Sequence, residues 1–258
     1  MGGLVVDLDG TVYLGESLIP GVDEALGRLR AAGFGVVFAT NKSVARPKDY
    51  VDKLTHLGVR ATEDDLVTVN AVLADHLAER LSPTDRVLAV GEAPLFEALA
   101  AAGLHTTTDW SEAAAVAMGW DRSFDYATLD AVFQAARRGA YVAATNPDVT
   151  CPVEHGEVPD CGMQIAALEA GLGRPIDIVV GKPAATMARA ATSRLGLPPE
   201  HCWMIGDRVS TDMRMAHEAG MRSALVLTGV TTRDQAVESR WEPDLVCESL
   251  VEFADRFA

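Results

Sequence analysis

Short apolar segments alternate with amphipathic, glycine-punctuated segments along most of this 258-residue chain, and that alternation restricts its fold more than any other feature. Residues 4–6, 35–39, 87–90, 115–118, 141–144, 177–180, 202–205 and 224–227 read as strands. Residues 22–32, 47–57, 62–81, 94–102, 126–138, 163–170, 184–195 and 212–219 read as helices, with the third broken near 67–69. In the first helix Leu26 and Leu29 share a face, and Gly33 stands where a helix commonly ends in a left-handed turn. Strands that alternate with helices build a parallel sheet covered by those helices, so the fold class is α/β.

About eight strands can form one open sheet or two smaller ones. Residues equipped for chemistry fall only before position 45 and after position 180, which makes the middle an insertion. The expected organisation is a discontinuous domain of residues 1–82 and 175–258, with a smaller α/β domain of residues 83–174 between its halves. Both crossings then fall in connections rich in serine or glycine and proline. Residues 146–160, with prolines at 147, 152 and 159, read as a loop.

Lys and Arg total 22 against 37 for Asp and Glu, a net charge of -15 that argues against nucleic acid or an anionic membrane as partner. An anionic substrate must therefore be attracted locally, by a bound cation and a few placed lysines. The four cysteines, at 151, 161, 202 and 247, have no zinc-site spacing and read as reduced thiols of a cytoplasmic protein. No apolar run approaches the ~20 residues needed to span a bilayer.

Open parallel sheets bind ligands beyond the carboxyl ends of their strands. The first strand ends in Asp7-Leu8-Asp9-Gly10-Thr11, where two carboxylates at i and i+2 point the same way and repel. Such a pair is either a metal and acid/base site or a solvated turn. The second strand ends in Thr40-Asn41-Lys42-Ser43, the one at 177–180 in Gly181-Lys182-Pro183, and the one at 202–205 in Gly206-Asp207, with Asp212 five residues on. Together these strand ends fit phosphoryl transfer: Asp7, Asp9 and Asp207 suit a hard cation such as Mg2+, and Lys182 suits a phosphate oxygen paired with Asp7.

These four strings, in this order, resemble the four motifs of the haloacid dehalogenase-like (HAD) phosphohydrolases. The insertion lies where the branch of NagD-like, pyridoxal, phosphoglycolate and nitrophenyl phosphatases carries its cap, and residues 118–122 and 144–148 are similar to that branch's cap segments. The resemblance covers the chain and implies a Rossmann-like core with an α/β cap, a Mg2+ cofactor, and hydrolysis of a small phosphorylated metabolite. A sugar phosphate, glycerol phosphate, phosphoglycolate or nucleoside monophosphate would each qualify, and two chains would pair into a homodimer through the cap. It implies that Asp7 is the nucleophile, that Asp9 is the acid/base, and that Thr40 and Lys182 hold the transferring group. The metal falls to Asp7, Asp207 and the backbone carbonyl of Asp9, with Asp212 behind them orienting metal-bound water or Lys182. Substrate contacts are expected from Thr40, Asn41, Lys42, Asn146, Cys151 and Lys182, under a specificity loop of residues 145–160.

Two positions depart from the branch. Lys42 stands where a second asparagine is common, which adds a positive charge able to favour a more anionic leaving group or to pair with a cap acid. Cys151 precedes Pro152 where pyridoxal phosphatases tend to have histidine, which weakens a pyridoxal-phosphate assignment. The same acids serve a phosphomutase, and a non-catalytic phospho-ligand sensor is a third reading of the fold.

Overall fold

Leu4, Val5 and Val6 are wholly buried, as expected of a strand covered on both faces. They lie in Gly3–Val6, a central strand of a parallel sheet whose order is Leu245–Cys247, Arg222–Val226, Cys202–Gly206, Gly3–Val6, Gly35–Thr40 and Leu66–Thr68. Val5 faces Met204 on one side and Val37 on the other, both in parallel register. From Gly3–Val6 the chain builds outward through Gly35–Thr40 and Leu66–Thr68. After the insertion it returns to the opposite side, which makes the gap between Gly3–Val6 and Cys202–Gly206 the point where strand order reverses. Ligand crevices form at such reversals.

The computed structural model describes residues 2–153 and 156–258. They form two compact units: one of residues up to Thr40, Pro47–Val67 and Lys182–Ala258, the other of Asn41–Arg46 and Thr68–Gly181. In the first, helix Val22–Ala31 buries Val22, Ala25, Leu26 and Leu29 at helical spacing. Helix Leu250–Phe257 buries Leu250, Phe253 and Ala254, with the Phe253 ring edge-on to Trp203 at 5.3 Å.

The second unit has its own sheet, ordered Ile178–Val179, Tyr141–Ala144, Ala113–Met118, Arg86–Val90 and His105–Thr107. Its core gathers Val116, Met118, Val132, Val142, Ile165 and Leu168 beneath helices Tyr126–Arg137 and Cys161–Leu172.

The boundaries move from those expected at 82/83 and 174/175. Ile178–Val179 pairs with Tyr141–Ala144 in the second sheet, Ile178 facing Ala143, and so is not a strand of the first. Helix Val69–Arg80 packs on Ala93–Ala101 and joins the second unit too. The helix expected over 62–81 is in fact a short turn, the edge strand Leu66–Thr68, and then this helix. The helix expected over 212–219 starts as a wide turn, Val209–Met213, ahead of Arg214–Ala219. Part of the loop expected over 146–160 is an antiparallel ribbon, Thr150–Val153 against Gly156–Pro159, where exposed edges tolerate proline. Glu154 and His155 of that expected loop lie outside the described residues. A two-stranded hairpin, Tyr13–Leu14 with Ser17–Leu18, and the strand Leu245–Cys247 were not anticipated. Among the described residues no helix is long and apolar enough to cross a membrane.

Leu4 is 0% exposed at the sheet centre, so Leu4→Ala should cost about 2–5 kcal/mol in chemical denaturation. Leu14→Ala, at a side chain 54% exposed, should stay within about 0.5 kcal/mol of the parent.

Candidate active site

Asp7 follows the strand Gly3–Val6 directly, and its N–H donates to the Ile205 carbonyl at 2.8 Å. Asp207 follows the neighbouring strand Cys202–Gly206, so the two acids leave adjacent strands at the same edge of the sheet, Asp207 one residue further on. The wide turn Val209–Met213 brings in a third acid, Asp212. One lysine meets this group. Lys182 Nζ donates to Asp7 Oδ1 and lies 2.8 Å from Asp212 Oδ1, with only 3% of the lysine side chain exposed.

Asp7, Asp207 and Asp212 each present an oxygen within 4.8 Å of the others. Three carboxylates around one ammonium leave excess negative charge in a buried space, which is costly. Burial, reinforced by Asp212 and Asp207 and only partly opposed by Lys182, pushes the Asp7 carboxyl up to about 8. Burial, with Asp212 next, pushes Asp207 up to about 6. Burial works to lower the pKa of Lys182, but Asp212 and Asp7 outweigh it and raise it, so the lysine stays charged. The cluster must therefore hold protons or a cation.

The donor set fits a hard divalent cation. Asp207 Oδ2 accepts the Val230 N–H at 2.7 Å, whereas Asp207 Oδ1 is buried with no hydrogen-bond partner. A buried oxygen left unsatisfied is expensive unless an ion takes it. Glycines make room for these carboxylates. A Cβ on Gly229 would lie 2.0 Å from Asp207 Oδ2, and one on Gly206 would lie 2.3 Å from Asp212 Oδ2. Gly10, at φ +84°, combines a left-handed backbone with the same crowding, 2.6 Å from Asp207 Oδ2.

Of the other expected residues, Asp9 carries an exposed carboxylate outside the three-acid cluster, so its expected part in metal binding rests on its main chain. It sits in a turn closed by Gly10 N–H to the Tyr13 carbonyl at 2.8 Å and by the Thr228 hydroxyl to the Gly10 carbonyl at 2.5 Å. Thr40, 3% exposed, ends the strand Gly35–Thr40 and is hydrogen-bonded to Tyr50.

The remaining four belong to the second unit. Asn41 Nδ2 donates to Asp148 Oδ2 at 3.0 Å. Lys42 lies within electrostatic reach of Asp160, an acid whose pKa is raised chiefly by burial and which Lys42 helps to hold down. Asn146 is 1% exposed, and its amide is fully committed: it donates to Asp148 and Asp160 and accepts from Thr145. Cys151 is half-buried in the strand Thr150–Val153.

Sequence reasoning gives Asp148 no role beyond its place in the segment 144–148, and it misses Tyr50 and Gly229-Val230. The last pair was legible: a glycine just beyond a strand is the same signal that Gly206 gave, read here at the end of Arg222–Val226.

Residues 4–105 match the haloacid dehalogenase-like hydrolase model, and residues 179–253 match a HAD-hydrolase-like model. Over 96% of its length the chain is 35% identical to the sugar-phosphatase AraL of Bacillus subtilis, covering 90% of that protein. The chain belongs to the haloacid dehalogenase-like hydrolases. This hydrolase also superimposes on the p-nitrophenyl phosphatase from Archaeoglobus fulgidus with a TM-score of 0.93 at 31% identity, covering 99% of this chain and 98% of the other. A glycerol phosphate phosphatase from Mycobacterium tuberculosis, solved in complex with magnesium, gives 0.91 at 32% identity over 100% of this chain and 78% of that one. Within its family this hydrolase is an enzyme of the NagD-like phosphatase type.

Near pH 7 the proton that must leave when a cation binds is chiefly that of Asp7. Cation binding near pH 7 should therefore release protons and tighten as pH rises toward 8. Calorimetry in buffers of different ionisation enthalpy measures this; heats independent of the buffer would contradict it. Gly229→Ala, by displacing Asp207, should weaken cation binding by about tenfold or more in the same titration.

Proposed function

We propose that this chain is a Mg2+-dependent phosphomonoester hydrolase that acts on small phosphorylated metabolites, sugar phosphates and glycerol phosphate foremost, through an aspartyl-phosphate on Asp7. The observation that carries this reading is Asp7 itself: one carboxylate oxygen held by Lys182, 12% of the side chain still accessible, at the mouth of a buried three-acid cluster. Asp7, Asp207 and the main chain of Asp9 hold the cation. Once bound, it offsets the repulsion of the acids and the charge on the phosphoryl oxygens.

Attack by Asp7 Oδ2 forms its bond to phosphorus as the ester P–O bond breaks, and Asp9 gives its proton to the departing oxygen. Asp9 then takes a proton from water as that water attacks phosphorus, the bond to Asp7 breaks, and inorganic phosphate leaves. Exposure of the Asp9 carboxylate suits a group that must reach the leaving atom and water in turn. Lys182 keeps Asp7 oriented and adds positive charge where the transferring group gains negative charge. Thr40, set by Tyr50, offers its hydroxyl to a phosphoryl oxygen.

Substrate discrimination falls to the inserted unit. Asn41, Lys42 and Cys151 act there directly, and Asn146, with its amide fully bonded, acts by shaping its loop. The same reading includes a homodimer through that unit, where Phe96, Tyr126 and Met163 offer exposed apolar surface. It places the enzyme in the cytoplasm, in keeping with four cysteines that remain thiols.

Hydrolysis of p-nitrophenyl phosphate with and without Mg2+ tests the class. Asp9→Asn should lower kcat by about 10²–10⁴-fold. Asp7→Asn should abolish both turnover and the phosphate trapped on the protein by acid quench; an active Asp7→Asn enzyme would sink the proposed nucleophile. A panel of phosphorylated metabolites ranked by kcat/KM identifies the substrate. Isomeric phosphate returned without free phosphate would instead mark a phosphomutase.

A further inference from the structure

The carboxylate of Asp148 has no part in the reaction above, yet it sits where two crossings of the chain meet. Its Oδ2 accepts from Asn41 Nδ2 at 3.0 Å and from Asn146 Nδ2 at 3.1 Å. Asn146 is anchored beyond that bond, since it also donates to Asp160 Oδ1 at 3.2 Å and accepts the Thr145 hydroxyl at 2.7 Å. The Thr145 carbonyl accepts the Gly181 N–H at 2.7 Å, and the Asp148 carbonyl accepts the Gly162 N–H at 2.8 Å. Asn41 Oδ1 is so close to Gly181 that a Cβ there would stand 2.6 Å from it. One short stretch, residues 145–148, thus holds the side chain of Asn41 and the main chain of Gly181. Thr40 precedes the first of these residues and Lys182 follows the second.

We propose that Asp148 is a positioning residue for catalysis. By fixing Asn41 it orients the peptide that follows Thr40, and through residues 145–148 it steadies the chain that leads into Lys182. A carboxylate suits the task, because one charged oxygen accepts two amide N–H groups and such bonds are stronger than neutral ones. The backbone bond from Gly162 fixes the main chain from which that carboxylate extends. Misplacing reacting groups by about 1 Å can cost about 10²-fold in rate, so a clamp at this point acts on turnover. The inference rests on the phosphatase reading.

Steady-state kinetics with p-nitrophenyl phosphate and Mg2+ test it. Asp148→Ala should lose about 10–100-fold in kcat, with KM within about twofold of wild type and a melting temperature lowered by no more than about 5 °C. Asp148→Asn, whose side-chain oxygen still accepts both amides, should stay within about threefold. Adding Asn41→Ala to Asp148→Ala should cost less than the product of the two single losses, because part of each loss passes through the bond they share. If Asp148→Ala melts early, Asp148→Ser, which stops short of both amides, takes its place. Wild-type kcat in the truncated variant, or losses that multiply in the double variant, would overturn the inference alone. A wild-type chain that hydrolyses no phosphomonoester would overturn the phosphatase reading and this inference with it.

Discussion

Three carboxylates are packed around a single lysine at the carboxyl edge of the first sheet, and much of the molecule exists to make that tolerable. Asp7, Asp207 and Asp212 would separate if the chain allowed it, since like charges at this range repel strongly away from water. The chain does not allow it: Asp7 and Asp207 follow adjacent parallel strands, and the turn Val209–Met213 brings Asp212 back beside them. Breaking such a buried pair by removing one partner typically costs about 3–5 kcal/mol, because the remaining charge is stranded. That cost ties Lys182 to Asp7 and Asp212, and the excess negative charge of the three acids suits a divalent cation.

The reversal of strand order explains why the site can be built here and not elsewhere on the sheet. On one side of Gly3–Val6 the chain continues outward in sequence order; on the other it arrives from more than a hundred and fifty residues away. Acids, hydroxyl and lysine therefore come from distant segments, each rooted in a buried strand or turn. Rigid roots matter, because Asp207 and Asp212 are held by the N–H groups of Val230 and Arg208 and by glycines that admit nothing larger. What the family contributes as chemistry, this chain secures by packing.

Much of this was legible in the sequence, and the residues show why. Apolar runs that end in Asp7, Thr40 and Asp207 are local signals, and the structure puts each where the pattern implies. Sheet membership is not local. Ile178–Val179 looks like any buried strand, and only its pairing with Tyr141–Ala144 reveals which sheet owns it. Val69–Arg80 likewise declares its unit by the helix it packs on. Very short strands such as Tyr13–Leu14 and Leu245–Cys247 carry too few residues to show a period. Asp212, expected behind the metal ligands to orient water or Lys182, lies with its Oδ1 2.8 Å from Lys182 Nζ, a contact across 30 residues that no local pattern shows.

The ownership of Ile178–Val179 bears on how far the insertion is a separable module. A composition-based cut near position 174 would leave this strand with the wrong partner in any chimaera between relatives, although the lysine that follows it belongs with the acids of the other unit. Exchange of inserted units therefore has its natural joint at the peptide between Gly181 and Lys182.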